Sequence, residues 1–85
     1  MTFFKEKTMD KTQLTFGQRA CGVSFNPGGD PTVAQIKADF AEIVDKLHGV
    51  REVCNDGEKA RMLSIAITEL QSAQMWAVKA VTWNL

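Results

Sequence analysis

One histidine, two prolines and no tyrosine occur in the chain, and ten Lys and Arg are matched by ten Asp and Glu for a formal net charge of zero. Zero net charge excludes broad phosphate neutralisation, so a DNA or RNA polymer is not an expected partner. A small anionic ligand remains allowed, because it needs only a few local cations. With His48 alone there is no Ser-His-Asp order, and no P-loop or GxGxxG run is present. The Gly28-Gly29 pair lacks the lysine and the strand context of a phosphate cradle. A metal site would require His48 with Asp45 or Glu52; the alternative is a solvated histidine or one that caps a helix end. Catalysis is not indicated, and neither a metal nor a cofactor is expected.

Cys21 and Cys54 form no CxxC pair and no export signal precedes the first helix, so both thiols are expected to be structural in a reducing cytoplasm. Long apolar runs free of charge are also missing. The most apolar segment, Met62 to Trp83, contains Glu69 and Lys79, each costing a few kcal/mol near a bilayer centre, so no membrane span is expected.

What is present is helical. Met1 to Leu14 has no sustained period and is expected to be a flexible leader, leaving residues 15–85 as the one domain. Thr15 and Gln18 have capping-box spacing and Gly22 sits where a glycine would end a short helix. The loop VSFNPGG, Val23 to Gly29, is turn chemistry. Asp30-Pro31 supplies an N-cap and a first-turn proline for a helix to about Val53, with Val33, Ile36, Phe40, Ile43, Val44, Leu47 and Val50 on one face. Gly49 weakens that helix by about 1 kcal/mol relative to alanine and marks a candidate break. Asn55-Asp56-Gly57 makes the reversal, and Glu58 to Trp83 is the second long helix, antiparallel to the first.

The second helix has more apolar surface than a hairpin partner can cover. Leu63, Ile67, Leu70, Gln74, Ala77 and Val81 make one stripe, and Met62, Ala66, Ala73, Trp76, Ala80 and Trp83 a second, with Ile65, Met75 and Val78 partly outside both. Two stripes require two partners, so an obligate oligomer is expected.

Candidate binding residues are few. Phe25, in its Gly- and Pro-rich loop, either stacks on a planar ligand or plugs the end of the hairpin core, and the neighbouring Asn26 can hydrogen-bond a base edge. Lys37, beside Ile36, is expected at the edge of the buried stripe. Arg61 and Thr68 share a helix face about 10 Å apart. Across a symmetric interface the two can converge on one anion; otherwise Thr68 bonds its own backbone.

The strings LTFGQRACGVSFNPGGD, VAQIKADFAEIVDKL and RMLSIAITELQSAQMWAVKAVTW, in this order over Leu14 to Trp83, resemble the helical-hairpin domain of the phage anti-CBASS and anti-Thoeris sponge proteins. The SFNPGGD loop with Ile36-Lys37, and the Arg61 to Leu70 run leading into MWAVKA, carry the likeness. The resemblance implies an all-α compact homo-hexamer in the host cell cytoplasm that is not an enzyme. It implies sequestration of cyclic dinucleotides, in many members also cyclic trinucleotides, without degradation. It implies that Phe25 and Lys37 belong to a dinucleotide pocket between paired protomers, and Arg61 and Thr68 to a separate trinucleotide pocket near the threefold axis. The short chain lacks the segment inserted in anti-Thoeris members, which favours the anti-CBASS side. The residues alone also fit an oligomeric interaction protein that masks a protein partner through Ile65, Met75 and Val78.

Overall fold

The computed structural model describes residues 13–84, which form three helices and no strand. Most of the expected leader lies outside the described residues; of its last two positions, Leu14 is buried and its carbonyl accepts a hydrogen bond from Arg19.

Helix α1, Phe16–Ala20, is opened by the capping box anticipated for it. Thr15 Oγ1 accepts from the Gln18 amide at 3.1 Å and Gln18 Oε1 from the Thr15 amide at 2.9 Å, satisfying two donors at the helix start. It ends at Gly22, whose φ of 62° is a conformation that other residues rarely adopt. Gly17 is buried at the crossing with the next helix, where a Cβ would run into the Ala41 carbonyl.

Helix α2, Pro31–Val53, starts where Asp30 accepts from the Thr32 and Val33 amides, and it runs through Gly49 without a break. Its buried row is Val33, Lys37, Ala41 and Val44, at steps of four, four and three. Lys37 therefore sits within the buried row and not at its edge, while Ile43 and Val50 are exposed. Asp45, considered above as a metal partner for His48, instead holds α1: its carboxylate accepts from Thr15 Oγ1 at 2.7 Å and from the Gly17 amide at 2.6 Å.

Helix α3, Gly57–Val81, has Asp56 as its N-cap, accepting from the Glu58 and Lys59 amides. Gly57 is thus the first helical residue and not part of the reversal, and Thr82 rather than Trp83 closes the helix. Arg51 donates to Ser64 next to the turn, Val44 and Ile67 share the core midway, and Lys37 and Val78 face one cleft at the far end, so α2 and α3 run antiparallel.

The core is Cys21, Ala41, Val44 and Ile67, ringed by Phe16, Ala20, Val23, Phe40, Leu47 and Leu70. It is thin. The first α3 stripe faces it through Leu63, Ile67, Leu70 and Gln74, whereas Met62, Ala73, Trp76, Ala80 and Trp83 of the second lie open. His48 is neither solvated nor a cap: its ring stacks on Phe16 at 4.1 Å between centroids, and Nδ1 faces Arg51 at 3.1 Å. Among the described residues no helix is long and apolar enough to cross a membrane.

Candidate functional site

The loop between α1 and α2 is braced by its own backbone. The Phe25 amide donates to the Gly22 carbonyl and the Gly29 amide to the Asn26 carbonyl, both at 2.9 Å. Asn26 Nδ2 donates to the Asp30 carbonyl at 3.0 Å, which closes the loop with one of the two N–H groups of its amide. Gly29, at φ 65°, makes the final bend into the N-cap.

Under this loop lies the Lys37 ammonium. Lys37 is 5% exposed, and a buried charge is tolerated only where polar groups replace its hydration. Two do so here, the Gly22 carbonyl at 3.0 Å and the Phe25 carbonyl. An ammonium has three donors, so one remains for another acceptor. The Phe25 ring itself is not a core plug: it is 71% exposed and its centroid lies 5.4 Å from Lys37 Nζ.

Phe25 and Lys37 form one side of a cleft of about 860 Å³ whose opposite wall is α3. Thr68, Gln71, Met75 and Val78 project into it at helical spacing, Arg19 and Lys79 stand at its rim, and Gln74 lies at its floor. Gln71 Nε2 donates to the Ala20 carbonyl at 3.1 Å, which locks α3 to the end of α1. Three cationic side chains and no carboxylate line this cleft, in a chain whose net charge is zero. The Cys21 thiol behind it is pushed up by burial and by Asp45, against an opposing pull from Lys37, and so stays protonated at neutral pH.

Of the residues singled out in the sequence, Phe25, Lys37 and Thr68 therefore share one cleft. Asn26 lines a neighbouring hollow with Pro27, Val33 and Trp83. Arg61 is absent from both. It is exposed and paired with Glu58, Nε to Oε1 at 3.0 Å and a second nitrogen to Oε2 at 2.6 Å. The shared hydrogen bonds hold the Glu58 carboxyl below its ordinary range and raise the arginine. Within one chain Thr68 thus belongs with Phe25 and Lys37 and not with Arg61. Sequence reasoning missed Gln74, which it placed on the core-facing stripe; a long polar residue between Leu70 and Ala77 was the available signal.

Comparison with protein families matches residues 20–82 to "Acb2/Tad1, hairpin domain". Comparisons with curated proteins and with solved structures returned no match. The matched stretch takes in the end of α1, the Phe25 loop, Lys37 and the α3 wall of the cleft, and covers most of the chain. The chain therefore belongs to the Acb2/Tad1 hairpin family of phage anti-CBASS and anti-Thoeris cyclic nucleotide proteins, which are sponges rather than enzymes.

Proposed function

We propose that the protein binds cyclic oligonucleotide second messengers of bacterial CBASS defence in the Phe25–Lys37 cleft and holds them, chemically unchanged, away from their effectors in the host cell cytoplasm. The observation that carries this reading is the pairing of an open aromatic face with cations and no carboxylate in one cleft. A cyclic dinucleotide has two phosphates and two planar bases. Phe25 stacks on a base, Lys37 gives its third N–H to a phosphate, and Arg19 and Lys79 at the rim attract the anion. The volume falls within the range of about 300–1,000 Å³ usual for ligand pockets. Two copies meeting over the cleft present Phe25 and Lys37 twice, once to each half of the ligand. Apart from the Cys21 thiol, the remaining polar side chains of the lining are hydroxyls and carboxamides, which are binding chemistry and not general bases.

Assembly belongs to the same proposal. The exposed α3 stripe with Met62, Trp76 and Trp83 packs copies together, and a hexamer satisfies it throughout. A cyclic trinucleotide would take Arg61 of each copy with Thr68 of a neighbour. Because Thr68 also walls the cleft, that second site shares a residue with the first.

Calorimetric titration with a cyclic dinucleotide tests the reading, using the wild type and Phe25→Ala. Saturable wild-type binding that weakens in the variant supports it. Absence of wild-type binding, with capture of a protein through Ile65 and Met75, would favour the partner-masking alternative.

A further inference from the structure

We infer that Gln74 holds phosphate in this cleft, its amide N–H groups donating beside Lys37 to one phosphate of the ligand; the inference rests on the cleft being the nucleotide site proposed above. Gln74 is 5% exposed and lines the cleft. Among the described residues its carboxamide has no hydrogen-bond partner, whereas Gln71 is committed to the Ala20 carbonyl and Lys37 to the Gly22 and Phe25 carbonyls. A buried carboxamide left unpaired costs the folded chain stability, and an apolar residue of similar size would remove that cost. A ligand that enters the cleft satisfies it instead.

The position of Gln74 in the hairpin sets which part of the ligand it meets. Val44 and Ile67 share the core. Lys37 lies seven residues before Val44 on α2, and Gln74 seven after Ile67 on the antiparallel α3. Each therefore stands about 10 Å along its helix in the same direction, and the two make one buried polar layer where the apolar core stops. Lys37 has one N–H left after its two loop carbonyls, and the Gln74 amide has two. A half-turn of the terminal amide aims its NH2 end at the ligand. Three unused donors, one of them on an ammonium, with no carboxylate in the lining, match the non-bridging oxygens of a phosphate, which accept and do not donate. The contact involves no base, so its contribution is the same for every cyclic dinucleotide.

The test measures binding of cyclic di-adenosine and cyclic di-guanosine monophosphate to the wild type, Gln74→Leu, Gln74→Met and Gln74→Glu, together with ligand-free melting temperatures. Both apolar variants should bind each ligand about tenfold or more weakly, the scale of a hydrogen bond to a charged group, and by a similar factor for the two ligands. Their ligand-free melting temperatures should hold or rise. Gln74→Glu keeps the size of the side chain but puts an anionic acceptor beside Lys37, so it should weaken both ligands further than the apolar variants do. Wild-type affinity in the apolar variants or in Gln74→Glu would overturn the inference. A loss confined to one ligand would assign Gln74 to a base and overturn the phosphate role. A lower melting temperature in both apolar variants would mean that the amide is already paired without ligand, and would overturn it as well. A wild type that binds neither ligand would remove the nucleotide site itself, a failure visible before any variant is compared.

Discussion

Replacing Lys37 by alanine does two separable things. In the ligand-free protein it removes an ammonium that is 5% exposed and donates to two loop carbonyls. Hydrogen bonds to a charged group contribute about 1.5–3 kcal/mol each, and part of that is recovered because water reaches the loop once the side chain is gone. A net loss of about 2–3 kcal/mol is expected, with the vacated stem adding to it. For a domain of this size each kcal/mol moves the melting midpoint by about 4–8 °C, so a fall of at least about 8 °C is expected by circular dichroism at fixed protein concentration. An exposed lysine on the edge of a stripe would change it hardly at all. Hydrogen exchange should separately report faster exchange at the Phe25 amide, because the loop has lost its tether. An unchanged midpoint and unchanged exchange would refute the buried latch. Lys37→Arg, with a longer planar head in the same row, should not restore either signal fully.

Gly17→Ala should destabilise the protein by about 1–3 kcal/mol, since the new methyl meets the Ala41 carbonyl and disturbs the Asp45 contacts; chemical denaturation measures it. Arg61→Ala should leave the melting midpoint essentially unchanged, because its ion pair with Glu58 is exposed, and should weaken trinucleotide binding only. Thr68→Ala, by contrast, should weaken both ligand classes in a titration, because the residue walls the Phe25–Lys37 cleft. Trp76→Glu, which puts charge on the open α3 stripe, should shift light scattering toward the 9.4 kDa protomer; an unaltered oligomer would show that the stripe is not an assembly surface.

The helix starts were legible because their determinants are local. Thr15 accepts from the Gln18 amide and Asp30 from the Thr32 and Val33 amides, two or three residues away, a distance at which sequence spacing is itself geometry; Asp56, read as part of the reversal, caps α3 in the same way. The two α3 stripes were legible for the same reason. Lys37 was not. Its partners lie 15 and 12 residues earlier in the chain, and nothing in the spacing of α2 says that a loop carbonyl will arrive over that position. Nor does the spacing of α2 say that Asp45 anchors α1, whose Gly17 and Thr15 lie 28 and 30 residues earlier. Thr68 and Arg61 share a helix face, so periodicity grouped them, whereas the cleft ends between them: the loop reaches Thr68 and leaves Arg61 to Glu58. Gln74 was read only as a member of an α3 stripe, because a sequence does not distinguish a polar residue packed on a core from one buried at the floor of a cleft.

The most direct test of sequestration is to mix the protein in molar excess with a cyclic dinucleotide, pass the mixture through a membrane that retains protein, and quantify nucleotide in the filtrate and again after heat denaturation of the retained fraction. The account predicts a filtrate depleted of ligand and return of the same cyclic molecule, intact, from the denatured protein, with depletion reduced by Phe25→Ala. A filtrate that still contains all the ligand, or a linearised nucleotide absent from a protein-free control, would contradict it.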